Sequence, residues 1–187
     1  MESKSLSSSV FINGIEIMAN FPEPIVGEID VMPFKKKMDP NIAIEALVEG
    51  DFVVVLDFFS TGLIVLNALK KYLKRKHKNQ SFKGQREYRS EFRELSNQVL
   101  VLVSNHKLSA KKSPEIGWFK MFYPNLDEFL LSFPQVQGFN SAWQWYQKGI
   151  SIPVLKHNVY PFFGTYFPTR FEHLTIFDKW LNEFNCD

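Results

Sequence analysis

Phe52 to Leu69 reads "FVVVLDFFSTGLIVLNAL", and Lys70 to Lys78, "KKYLKRKHK", follows it. Whether this run is one element or two decides the fold. At 18 residues it is long enough to cross a bilayer, with a basic flank suited to the cytoplasmic side. Asp57, Gly62 and Asn67 stand inside it, however. A central aspartate costs on the order of 3 kcal/mol on insertion scales. The run therefore reads as two buried elements meeting at Ser60-Thr61-Gly62, with no membrane span. Val53-Val54-Val55 are β-branched, so 52–58 fits a buried strand or a buried helix, and periodicity does not separate them. Helical neighbours incline the reading to helix. Residues 61–78 read as a helix with Leu66, Leu69 and Leu73 on one face. The strongest helical pattern covers 85–103, where Tyr88, Phe92, Leu95, Val99 and Val103 fall at offsets 0, 4, 7, 11 and 15.

Upstream, residues 1–9 are polar and serine-rich and read as a flexible tail. In "VFINGIEIM" (10–18), Asn13-Gly14 between β-type residues is a hairpin signal. Pro22, Pro24, Pro33 and Pro40 punctuate an irregular stretch holding one short strand. Asp39-Pro40 then opens a helix with Ile42, Ile44, Leu47 and Val48, and Gly50-Asp51 ends it.

Downstream, 107–117 reads as a loop, and "NLDEFLLSF" (125–133) and "NSAWQWYQK" (140–148) as short helices. Residues 150–167 suggest two extended segments turning near His157-Asn158. Thr169 and Glu172 form a T-x-x-E capping box. The helix it opens has Phe171, Leu174, Phe177, Leu181 and Phe184 as its buried stripe. The expected fold is α+β. It is a single, mainly helical domain over 10–187, with short antiparallel hairpins near the N-terminus and at about 150–167.

Hydrophobic residues make up 45% of the 187, which suffices for a core and excludes global disorder. Aromatic residues reach 16%, so part of that surface is available to a partner. Cys186 is the one cysteine, which excludes an internal disulfide and a cysteine-type zinc site and fits a reducing compartment. "MESKSLSSSV" lacks the apolar core of a secretory signal, so the expected location is cytoplasmic.

The net charge of +2 hides an uneven distribution. Residues 1–50 carry 4 basic and 8 acidic residues, 51–110 carry 11 and 5, and 111–187 carry 7 and 7. The excess lies in Lys70, Lys71, Lys74, Arg75, Lys76, Lys78, Lys83, Arg86, Arg89 and Arg93. Tyr72, Phe82, Tyr88 and Phe92 are interleaved with them. Cations of this density neutralise phosphates while aromatic rings stack on bases, so a non-enzymatic adaptor for nucleic acid, another polyanion or an acidic protein partner is expected. The competing reading is a solvated helix end, with Tyr88 and Phe92 turned into the core and the lysines complementing a helix dipole.

His77, His106, His157 and His173 are scattered without metal-ligand spacing, and no metal site is assigned. His173 reads as a partly buried structural residue. The chain has no G-x-S-x-G, Walker or G-x-G-x-x-G motif, and no catalytic residue is assigned. Asp57, the one carboxylate in the apolar run, reads as a helix cap or ion-pair member. Arg170 falls in the first turn of the expected last helix, where the positive dipole end disfavours a cation.

Phe167-Pro168-Thr169-Arg170 and Glu172, after an arm from Tyr160 to Phe167, make up a longer pattern. The stretch 161–181 resembles the segment leading into the catalytic domain of class I S-adenosylmethionine-dependent methyltransferases. The release-factor glutamine methyltransferases are the nearest likeness. There a helical N-terminal domain precedes a hairpin, a proline–arginine motif ending in an acidic residue, and a helix. The resemblance implies that Phe167, Arg170 and Glu172 border a cofactor pocket. It implies a substrate-recognition region that docks on a catalytic domain. This sequence departs by the inserted Thr169, and it has no glycine-rich cofactor loop and no Asn-Pro-Pro-aromatic motif. The chain alone is therefore expected to bind no cofactor, with S-adenosylmethionine entering only where a catalytic domain is supplied.

Overall fold

A computed structural model describes residues 5–12, 15–78, 81–167 and 170–184. In chain order the elements begin with strands β1 (Ser5–Ile12), β2 (Ile15–Pro22) and β3 (Val31–Phe34). Helix α1 (Pro40–Glu49), β4 (Phe52–Val55), α2 (Phe59–Lys76) and α3 (Phe82–Asn97) follow. Then come β5 (Val99–Ser104), β6 (Lys107–Leu108), α4 (Trp118–Phe122), β7 (Glu128–Ser132), α5 (Phe133–Lys148) and α6 (Glu172–Glu183). The fold is α+β. Its residues group into two compact units, 1–140 and 141–187.

The first unit is built on a mixed sheet. β3 and β4 pair in parallel, Val31 beside Phe52, and β4 pairs in parallel with β5, Val53 beside Val99. β7 runs antiparallel along the other edge of β5, Leu100 beside Ser132. β6 returns on β5 through Val103 and Leu108, beyond the point where β4 leaves it. Val53, Val54, Val55, Val99, Leu100 and Val101 are all buried. Strands covered on both faces lose the alternation that marks a half-exposed strand. This is why 52–58, inclined to helix from the sequence, is a four-residue strand followed by a turn into α2. Among the described residues, no helix is long and apolar enough to cross a membrane.

Two further helical expectations give way to strands. The stripe from Tyr88 to Val103 is divided: α3 ends at Asn97, and Val99 and Val103 belong to β5. Five buried-compatible offsets continued across the Gln98 cap by coincidence, while the β-rich VLVLVS claims the central sheet position. A turn with positive φ at Asn105 and His106 closes the β5–β6 hairpin. In 125–133, residues Glu128–Ser132 form β7, and the helix starts only at Phe133. Its start has a capping box, with the Gln135 N–H donating to Ser132 Oγ (3.4 Å) and the Ser132 N–H donating to Gln135 Oε1 (3.1 Å).

The expected α1 is present. Asp39 accepts a hydrogen bond from the Asn41 N–H, Pro40 is the first residue, and Gly50 caps the end at φ 98°. The N-terminal hairpin is also present, with β1 and β2 antiparallel and closing at Ile12 and Ile15. β1 begins inside the stretch read as tail, and Asn13-Gly14 lie outside the described residues. Much of the aromatic content is internal. Phe21 stacks on Phe122 (4.7 Å), Phe122 on Trp118 (5.5 Å), and Phe119 and Tyr123 meet Phe129. The Tyr123 hydroxyl donates to the Pro22 carbonyl (2.6 Å), and burial pushes its pKa upward.

In the second unit, the extended pairing expected over 150–167 is a single antiparallel bridge, Ile150 with Val159. Trp145 meets Phe167 edge-on (5.7 Å) and Tyr146 meets Phe162 (6.3 Å). α6 starts at Glu172 after Phe171, and Pro168 and Thr169, half of the proposed capping box, lie outside the described residues. The stripe expected to be buried is not: Phe177, Leu181 and Phe184 are exposed, as are Ile176 and Trp180.

Candidate polyanion interface

α2 and α3 form a helical hairpin joined through residues 77–81. α2 buries Val65, Leu66, Leu69 and Leu73. At about 100° a residue, Lys70, Lys71, Lys74 and Arg75 occupy about 140° of the opposite side. α3 buries Gly84, Leu95 and Ser96. Lys83, Arg86, Arg89 and Arg93 fall within about 120° of its opposite side. All of these cations, with Lys76 and Lys78, are exposed. The apolar stripes that bury each helix thus dictate where the charges go, and both helices present them to water.

The hairpin is held at one point by Glu91. Lys76 Nζ donates to Glu91 Oε1 (2.6 Å), and His77 Nε2 lies 2.6 Å from Oε2. Burial pushes the Glu91 carboxyl up, but the hydrogen bonds from Lys76 and His77 outweigh it, and its pKa falls below the ordinary value. The same hydrogen bond raises the Lys76 ammonium. Lys76 is therefore committed to Glu91, as is His77 beside it. Lys70 lies over the Phe92 ring (5.6 Å), and Phe92 stacks near Tyr88 (6.3 Å). Tyr88 and Phe92 are half-buried, as their place on the apolar stripe indicates. Phe82 is not: it opens α3 with 81% of its surface exposed, and Tyr72 is 36% exposed. A surface of exposed cations with a free ring neutralises phosphates and offers a stacking platform.

The residues assigned through the resemblance belong to the second unit. Phe167 is half-buried against Trp145. Arg170 is exposed and immediately precedes the N-cap Phe171 instead of sitting in the first turn of α6. Glu172 is exposed as the first residue of α6.

His173 and His157 are exposed, which corrects the expectation of a partly buried His173. His106 Nε2 reaches the Tyr123 carbonyl (3.0 Å). Among the described residues no three histidine, cysteine or acidic side chains gather as a metal-ligating group.

Asp57 is a structural tie. Its Oδ1 accepts from the Phe58 N–H (2.7 Å) and the Thr61 hydroxyl (2.8 Å), and its Oδ2 accepts from the Lys36 N–H (2.8 Å). Burial pushes its carboxyl up, yet these hydrogen bonds outweigh it and the pKa lies below the ordinary value. The expected helix cap is not formed: the N-cap of α2 is Phe58, which has no side-chain cap hydrogen bond, and Asp57 precedes it and binds the Phe58 N–H and the Thr61 hydroxyl instead. The bond to Lys36 across the sheet edge had no sequence signal because it joins residues 21 positions apart.

Compared with known proteins, the chain matches no protein-family model and no curated protein.

Proposed function

We propose that this protein binds single-stranded nucleic acid through the α2–α3 hairpin. One observation carries the reading: every lysine and arginine between Lys70 and Arg93 is exposed, and those on α2 and α3, Lys76 excepted, stand opposite the buried residues of their helix. A merely solvated surface would not require Phe82 to stand in water beside them. The exposed ring favours a single strand, whose bases are free to stack. The reading is of a non-enzymatic binding module in the cytoplasm, in keeping with the single cysteine.

The test is fluorescence anisotropy with a labelled oligothymidylate across a salt series. Reversing charge at Lys71, Lys74 and Arg75 should lower affinity at least tenfold and flatten the log–log salt slope by about 2, since a single strand releases roughly 0.7 counterion per phosphate contact. Unchanged affinity and slope would overturn the reading.

A second reading keeps the methyltransferase resemblance. Its support is α6, which forms the end of the resembling stretch and leaves Ile176, Phe177, Trp180, Leu181 and Phe184 exposed, as a helix that docks on a catalytic domain would. Under this reading Phe167, Arg170 and Glu172 border a pocket for S-adenosylmethionine that the catalytic domain completes. Calorimetry with S-adenosylmethionine separates the two. The reading expects no binding by this chain alone, and micromolar binding alone would overturn its premise of an incomplete pocket.

A further inference from the structure

A second group of cations gathers where the parallel strands end. β3 runs into a tight turn, the Met38 N–H donating to the Lys35 carbonyl (2.9 Å), and the turn carries Lys35, Lys36 and Lys37. β6 leads into Lys111 and Lys112, the latter at φ 57°. These segments are far apart in sequence, and Asp57-Phe58 joins them. The Asp57 side chain accepts from the Lys36 N–H (2.8 Å), while its main-chain carbonyl accepts from the Lys111 N–H (2.7 Å). The Phe59 N–H donates to the Lys111 carbonyl (3.0 Å), and Lys36 Nζ lies over the Phe58 ring (5.9 Å). All five lysines are exposed. Asp57 and Asp39 keep their negative charge while accepting from neutral donors, so with Glu115 three carboxylates stand against five lysines in these segments. Glu115 is the exposed carboxylate of the second segment.

The fold thus concentrates lysines beside the start of α2, while the hairpin cations begin at Lys70 and continue past the end of the same helix. The 18 residues of α2 measure about 27 Å at 1.5 Å per residue. We infer that lysines 35–37 and 111–112 form a second phosphate-contacting surface, so that one nucleic-acid strand is held at both ends of α2. The inference rests on the nucleic-acid reading of the hairpin and adds a length requirement to it. With helical phosphates spaced about 3.4 Å apart along a strand, about eight are needed to span α2, and a stretched strand needs fewer.

The experiment compares the full chain with K36Q/K37Q/K111Q, using oligothymidylates of twenty and of three nucleotides. The substituted side chains are exposed, and circular dichroism confirms that the variant folds. The variant should bind the twenty-mer at least fivefold more weakly at about 50 mM salt, with a slope lower by about 2, and bind the trimer as the parent does. Amide resonances of Lys36 and Lys111 should shift on titration with the twenty-mer. If the parent binds the twenty-mer and loses it on hairpin charge reversal, yet K36Q/K37Q/K111Q matches the parent in affinity and slope, this inference fails and the hairpin reading stands. If the parent binds neither oligonucleotide, both fail.

Discussion

Glu91 on α3 and Lys76 near the end of α2 meet at 2.6 Å, and this ion pair fastens one helix of the basic hairpin to the other. His77 approaches the second Glu91 oxygen, also at 2.6 Å, so one carboxylate serves two donors from consecutive residues. The carboxylate is drawn inward among the exposed cations of the hairpin.

The clip should weaken at both ends of the pH scale. Glu91 has its pKa held below the ordinary 4.5, so its contribution is complete above that value and is lost as pH falls through the folded-state pKa. Lys76 is raised above 10.5, so its contribution is complete below that value and is lost as pH rises through the folded-state pKa. Glu91→Gln should therefore lower the urea midpoint most at about pH 7, and the gap to the parent should narrow as pH falls below 4.5 and through the folded-state pKa. A gap of the same size at both pH values would sink the assignment.

Gly62 tests the packing at the start of α2. A Cβ built there would overlap the ring of Phe133, and that ring is fully buried and packed against Phe59 at 4.8 Å. With no room to retreat, Gly62→Ala should destabilise by about 1–3 kcal/mol, the usual cost of overpacking, despite alanine's better helix propensity. Urea denaturation should show a lower midpoint with an unchanged m-value. A more stable variant would show that the Phe133 ring yields.

These two sites illustrate what was legible in the sequence. The basic strip and its apolar counter-stripe were, because charge and burial along one helix depend only on local spacing. α1 was legible from Asp39-Pro40 and Gly50, whose roles are conformational and local. The central sheet was not. Val53 to Val55 and Val99 to Val101 carry no alternation because both faces are buried. The capping box of Ser132 and Gln135 was spelled out, but Leu130 and Leu131 extended the helical pattern backwards across it. α6 was legible as amphipathic, and its exposed face depends on what it packs against, which no spacing rule contains. The approach of Lys36 and Lys111 to Asp57 is a tertiary event with no local signature.

Asp57 makes a distinction that hydrogen exchange can read. Its side chain holds the Lys36 amide, whereas its main-chain carbonyl holds the Lys111 amide. Asp57→Asn replaces one acceptor oxygen by an NH₂ group and removes the charge, at a cost of about 1 kcal/mol once its partial exposure is allowed for. The Lys36 amide should then exchange roughly tenfold faster, and the Lys111 amide should keep its protection relative to the global rate. Equal acceleration of both amides would mean that Asp57 orders the whole edge instead of one hydrogen bond.

Phe82 and Phe92 separate binding from folding within one helix. Phe82 stands almost free of the protein, so its ring contributes little to stability, and Phe82→Ala should shift the unfolding free energy by no more than about 0.5 kcal/mol. If the ring stacks on a base, the same substitution should weaken oligothymidylate binding by about 1–3 kcal/mol, fivefold or more. Phe92 lies half-buried beneath Lys70, and Phe92→Ala should instead lower stability through lost packing, with a smaller effect on affinity. Anisotropy titrations and urea denaturation on both variants give four measurements with opposite ordering. Parent-like binding by Phe82→Ala would remove the stacking argument for a single strand. The cations would then be left to recognise phosphate alone, a role that a duplex fills equally well.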